Sequence, residues 1–204
     1  MENTPSEIPN PFFTYVATSA TLAEFVTYWS AQYRYDGDAL EYEKYVGVHP
    51  QTREGLLSLF VWKNGGKLSS KKLASVERNY VSVINDSRLC NADITVDEFL
   101  TRVPKGGAVW RIFWLHVCHP RRFPIYDQHV HRAMRYLMNL PITELEQYSE
   151  RAVIRAYVDE YLPFHARFSS FPERTVDQAL WAFGKFIKRP AVPLPARVPQ
   201  CRDA

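Results

Sequence analysis

Residues 103–132 read VPKGGAVWRIFWLHVCHPRRFPIYDQHVHR, and this stretch decides the fold. Gly106 and Gly107 permit a tight turn that opens directly onto an apolar segment. Residues 108–118 are apolar on nearly every side, which predicts a buried central helix. The first N–H groups of a helix entered from such a turn lack intrahelical partners and can hold a phosphate oxygen. His119-Pro120 predicts the turn that ends this helix, and Pro124 a stiff approach to the next. There Val130, Ala133, Met134 and Leu137 form an apolar stripe, with Gln128, Arg132, Arg135 and Asn139 on the opposite, polar face. Asp127 precedes that helix, where hydrogen bonding and the helix dipole favour a carboxylate and keep it ionised. Exposed in a cleft, such a carboxylate can align water or stabilise a developing cation.

The rest of the chain also reads as helical. Thr21–Glu24, Thr95–Glu98, Thr143–Glu146 and Thr175–Gln178 each match the capping-box pattern that opens helices. Val176, Ala179, Leu180, Phe183 and Ile187 recur at helical spacing. Further helices are expected near 21–33, 53–62, 69–84, 95–101 and 149–161. No Asn-Gly or Asp-Gly pair between alternating strands signals a hairpin, so the expected class is all-α. Residues 1–20 read as an N-terminal arm, 21–189 as one domain, and 190–204 as a proline-rich tail.

Composition narrows the function classes. With 204 residues the chain can bury a core without disulfide or metal staples. Cys90, Cys118 and Cys201 lie far apart, which argues against a disulfide framework and a clustered zinc or iron–sulfur site. The polar, acidic N-terminus lacks the marks of a signal peptide, and no long uncharged apolar run spans a membrane; a cytoplasmic location is expected. Net charge is +3, but it is unevenly spread. Residues 1–60 carry eight acids and three bases, whereas 102–135 carry seven bases and one acid, Asp127. Lys63, Lys67, Lys71, Lys72 and Arg78 form a second basic stretch. Concentrated positive charge on a nearly neutral chain points to an anionic partner such as nucleic acid, against the plainer reading of solvated helix faces.

Val103-Pro104-Lys105-Gly106-Gly107 resembles the Leu-Pro-Gly-x-Gly hairpin of the helix-hairpin-helix DNA glycosylase superfamily, the endonuclease III-like base excision enzymes. Tyr126-Asp127-Gln128-His129-Val130-His131-Arg132 resembles that family's Asp motif, at matching distance from the hairpin. Leu56-Leu57-Ser58-Leu59-Phe60 looks like its early helix, Val176 to Gly184 its late helix, and Pro199-Gln200-Cys201 faintly its Pro-x-Cys. The resemblance covers about residues 50–190 and implies a two-lobed fold: a central lobe of about 50–125, and a second lobe of N- and C-terminal helices. Two departures matter. Lys105 replaces the first hairpin glycine, and Val109 stands where bifunctional members carry a Schiff-base lysine. The four-cysteine cluster loop is also missing.

The resemblance therefore implies a monofunctional DNA N-glycosylase that flips a modified or damaged base, with Asp127 as the catalytic residue stabilising an oxocarbenium-like sugar. It implies DNA contacts at Lys105, Gly106, Gly107, Arg121, Arg122, Lys63 and Asn64, the last two in the loop that would fill the gap left by the flipped base. Trp62, Tyr126, His129 and Arg132 are placed in or behind the base pocket. Trp110 and Trp114 read as core. No cofactor is expected beyond a monovalent cation at the hairpin, and no metal, although His116 and His119 have a helical ligand spacing. Double-stranded DNA is the expected partner of a monomer. The competing readings are a DNA- or RNA-binding module that has lost chemistry on the same scaffold, and a structural helical protein docking another protein.

Overall fold

A computed structural model describes residues 21–35, 38–49 and 51–188; the N-terminal arm, the proline-rich tail and Cys201 lie outside the described residues. Those described are helical, with no strand among them. In chain order the helices are α1 (Leu22–Ala31), α2 (Asp38–Tyr45), α3 (Arg53–Asn64), α4 (Ser70–Asn79), α5 (Val96–Arg102), α6 (Ala108–Cys118), α7 (Gln128–Leu137), α8 (Glu150–Arg155), α9 (Leu162–Ala166) and α10 (Glu173–Ile187). Short 3-10 turns at Val81–Val83, Ser87–Cys90 and Leu145–Gln147 join them. α8 runs into α9 through a π-helical segment, Ala156–Tyr161, just before Pro163. Proline lacks the N–H that an α-helical ladder would use there, and the wider register accommodates the loss.

Caps set most of the helix starts. Thr21 and Thr95 form full capping boxes with Glu24 and Glu98. Thr52, Ser69 and Ser149 each accept a bond from the third residue beyond them. The other two expected boxes do not form. α10 begins at Glu173 behind Pro172, whose fixed φ of −59° suits a helix start, so Thr175 falls inside the helix. The Thr143 hydroxyl instead meets the Tyr148 hydroxyl at 2.8 Å and His131 Nε2 at 3.2 Å. The helix expected over 69–84 stops at Asn79, because Tyr80 leaves the helical region and sends its hydroxyl to the Gly106 carbonyl, 3.0 Å away. α2 is rich in charge and is not among the helices expected from the sequence.

The core is continuous. α10 packs along both α1 and α7, α2 packs on α3, and α6 packs on α5 and α8. α6 is buried along Ile112–Cys118, as its composition dictates. α7 departs from its expected polar face at Arg132, which is 1% exposed. Its guanidinium meets both Glu144 oxygens at 2.6 Å, which satisfies a charge that could not otherwise be buried. No described helix is long and apolar enough to cross a membrane.

Candidate functional site

The site begins with the loop that delivers Asp127. His116, buried on α6, bonds through Nδ1 to the Phe123 carbonyl at 2.7 Å, and the Tyr157 hydroxyl reaches the Pro124 carbonyl at 3.3 Å. These contacts fix the approach on both sides of Pro124. Asp127 then caps α7: its Oδ1 accepts from the N–H groups of His129 at 2.8 Å and Val130 at 3.2 Å. Its other oxygen, Oδ2, accepts from Lys63 Nζ at 2.9 Å. Burial opposes ionisation of this carboxyl, but Lys63, His129 and the backbone donors together hold it below the usual range. The pair is largely enclosed, with Lys63 8% and Asp127 15% exposed.

Two connected hollows meet at this pair. An inner chamber of about 50 Å³ is lined by Tyr33, Tyr35, Trp62, Arg174, Asp177 and Trp181 as well as Lys63 and Asp127. It admits groups the size of water. An outer cleft of about 450 Å³, within the range of small-molecule sites, adds Asn64, Val109, Trp110, His129 and Glu146. The walls are aromatic. Tyr35 meets Trp62 and Trp181 edge-on at 5.5 and 5.7 Å, and Tyr33 meets Trp181 at 5.2 Å. Arg174 lies over the Tyr42 ring at 3.9 Å and donates to the Tyr33 hydroxyl at 3.2 Å.

Asp177 is a candidate site residue that sequence reasoning misses. It sits on α10, 3% exposed, and neither carboxylate oxygen has a hydrogen-bond partner among the described residues. His165 Nε2 stands 3.8 Å from Oδ1, but burial holds that imidazole's pKa down at about 4, so it is neutral at physiological pH. Burial raises the Asp177 carboxyl to about 7, against the pull of Arg174 and Lys63 and with the repulsion of Asp127. The inner chamber thus holds two carboxyl groups with opposite proton preferences, and Asp127 alone of the two also faces the outer cleft. The available sequence signal is an acid inside an apolar helical stripe, Val176, Ala179, Leu180 and Phe183.

The structure brings Asp127, Lys63, Trp62, Asn64 and His129 to the cleft, along with Val109. Tyr126 is fully buried behind it, its hydroxyl 2.7 Å from His131 Nδ1. Arg132 supports from below, with Nη1 3.1 Å from His129 Nδ1 and 3.5 Å from the Gly184 carbonyl. The hairpin Val103–Gly107 joins α5 to α6 just ahead of Val109. Arg111 holds it from within, donating to the Val103 and Leu100 carbonyls at 2.6 and 2.7 Å. Gly106 sits at φ +115°, and a Cβ added there would stand 2.2 Å from the Tyr80 hydroxyl, so no larger residue fits. Arg121 and Arg122 lie beyond the opposite end of α6, and Arg122 donates to the Ala92 and Ile94 carbonyls. Neither family models nor curated proteins nor solved structures yield a match to this chain.

Proposed function

We propose that the protein is a monofunctional DNA N-glycosylase, working in the cleft between the hairpin helix and α10, with its helices arranged as two lobes on either side. The observation that carries this reading is the pair of carboxyl groups, Asp127 held ionised and Asp177 held largely protonated below pH about 7, in one aromatic-walled hollow. A base turned out of the duplex would stack in the outer cleft, against Tyr35, Trp110 and Trp181. As the bond from C1′ to the base nitrogen breaks, its electron pair leaves with the base in the outer cleft, and Asp177, which lines only the inner chamber, would supply the proton through a water held there. Asp127 would face the cationic sugar, and water would add to C1′ and pass its proton back through the chamber water to the Asp177 carboxylate left by the first step. Charge complementarity to the transition state is the source of the rate. The free N–H groups at the start of α6, with Lys105 beside them, would hold a phosphate.

Lys63 favours a second reading. Val109 lines the outer cleft and carries no amine, but Lys63 Nζ lies 2.9 Å from Asp127. Once unprotonated it could add to C1′ as the base departs and give an imine with the opened sugar.

Incubation with a panel of lesion-bearing and modified duplexes, followed by alkali cleavage at abasic sites, tests both. Asp127→Asn keeps the Oδ1 cap but removes the charge. Base release is expected to fall about 100-fold or more, while duplex affinity persists or rises. Full release by the Asn variant would leave Asp127 a helix cap. Duplex binding by the wild type without release from any duplex would favour the nucleic-acid-binding module. Borohydride trapping that is lost in Lys63→Gln would replace the monofunctional reading by the imine route.

A further inference from the structure

At the end of α6 remote from the hairpin, the fold assembles a group that the chain separations of the cysteines argue against. His49 follows α2, Cys90 ends the 3-10 turn Ser87–Cys90, and Cys118 is the last residue of α6. One ligand atom from each lies within 4.8 Å of the other two. We infer that His49, Cys90 and Cys118 form a binding site for a soft divalent cation of the zinc type, with a fourth position open to water.

Geometry supports this in three ways. His49 Nδ1 is 3.4 Å from Cys90 Sγ. A tetrahedral zinc, with bonds of about 2.3 Å to sulfur and about 2.0 Å to nitrogen, separates such ligands by about 3.5 Å. Next, His49 Nε2 lies 3.2 Å from the Cys118 carbonyl oxygen. A carbonyl only accepts, so Nε2 carries the proton and Nδ1 turns its lone pair toward the sulfurs. A histidine ligand is commonly oriented by this kind of backbone bond on its far nitrogen. Finally, the three segments are tied together by contacts that do not involve the donors. The Gly47 N–H reaches the Val117 carbonyl at 2.9 Å, and His119 Nε2 lies 2.7 Å from the Leu89 carbonyl. The donor positions are therefore held before any ion arrives.

The ligand chemistry is balanced. Two thiolates neutralise a divalent cation, and binding releases their protons. His49 and Cys90 are exposed, which gives an ion a path in, and Cys118 is buried beneath them. Sulfur and imidazole donors without a carboxylate favour zinc over calcium or magnesium. The ion would staple the α2–α3 loop, the Cys90 turn and the end of α6, and this role does not depend on any chemistry in the cleft.

The test uses the full chain carrying Cys201→Ser, so that the tail thiol is not counted, reduced and stripped with chelator. Zinc competition against a chromophoric chelator is expected to show one ion per chain, and cobalt(II) a thiolate-to-metal charge-transfer band. Cys90→Ser, at an exposed position, is expected to abolish the band's full intensity and weaken zinc binding more than about 10-fold, and His49→Ala to weaken it similarly. At a zinc concentration near the parent's dissociation constant, zinc should raise the melting temperature of the parent more than that of the Cys90 variant. Binding well below one ion per chain would overturn the inference, as would binding unchanged in both variants. So would a Cys90–Cys118 disulfide in the oxidised protein accompanied by no metal capture in the reduced one.

Discussion

Asp127 and Asp177 show how placement decides the chemistry of one side chain. Asp127 has two backbone donors and an ammonium; Asp177 has burial and no hydrogen-bond partner among the described residues. The consequence is measurable without substrate. The Asp177 carboxyl has a folded pKa of about 7, against about 3.9 for an unfolded aspartate. Between these values the folded state keeps a proton that the unfolded state has released. Its contribution to stability is therefore fully present below pH about 4 and is lost as pH rises through about 7. Asp177→Asn never ionises, so its advantage over the wild type should grow from near zero in acid to as much as about 4 kcal/mol above neutrality, at about 1.4 kcal/mol per tenfold change in proton affinity. Urea denaturation of both proteins at about pH 5 and about pH 8.5 checks this, because the buried histidines contribute alike to both. Parallel curves would show that Asp177 is not held protonated. Asp127 is legible in the sequence because its cap role is local. Asp177 is not, because its environment is assembled largely from Tyr33 and Trp62, which are distant in the chain, with Arg174 one turn before it on α10.

At the scale of elements, the contact of α10 with α7 is set by Gly184. A Cβ added there would stand 1.8 Å from the His129 carbonyl oxygen and 2.5 Å from its carbon, both backbone atoms that cannot rotate away. Within a helix Ala is normally better than Gly by about 1 kcal/mol. Gly184→Ala should reverse that sign and destabilise by about 1–3 kcal/mol or more, by forcing the helices apart. It should also impair the site, since the N–H of His129 holds Asp127 Oδ1. A urea midpoint at or above that of the wild type would contradict this. Helix existence is readable where apolar periodicity and a local cap agree, as in α1, α5 and α7, and in α6 from a run that is apolar on nearly every side. It fails where tertiary contacts reassign a side chain. Thr143 bonds to Tyr148 instead of capping, Tyr80 breaks its helix to reach the hairpin, and Arg132 is drawn inward by Glu144. The neighbourhood of His49, Cys90 and Cys118 is equally invisible, because distance along the chain says little about distance in a fold of packed helices.

Across the whole molecule, the basic stretch 102–135 does not form one free surface. Arg111 and Arg132 are buried, Arg135 pairs with Glu160 at 3.2 Å, and Arg122 holds the Ala92 and Ile94 carbonyls. Arg102, Lys105 and Arg121 remain exposed, the first two beside the hairpin and the third beyond the far end of α6. A helix of 11 residues separates those ends by about 16 Å, at about 1.5 Å per residue. If the proposed nucleic-acid substrate is right, the electrostatic contribution to binding should therefore follow the hairpin. Lys105→Glu is expected to weaken duplex binding by a similar factor for every sequence and to lower the slope of log affinity against log salt by about 1, the signature of a lost phosphate contact. Arg121→Glu should leave that slope nearly unchanged. Arg122→Glu should act differently again, by lowering stability, because it leaves two backbone carbonyls without their donor. Salt titrations of the three variants, each paired with a denaturation curve, separate these effects. An equal loss of slope for Arg121→Glu and Lys105→Glu would mean that the duplex lies along α6 and contacts both ends. An unchanged slope for Lys105→Glu would remove the hairpin from the DNA-binding surface and with it the main electrostatic support for a nucleic-acid substrate.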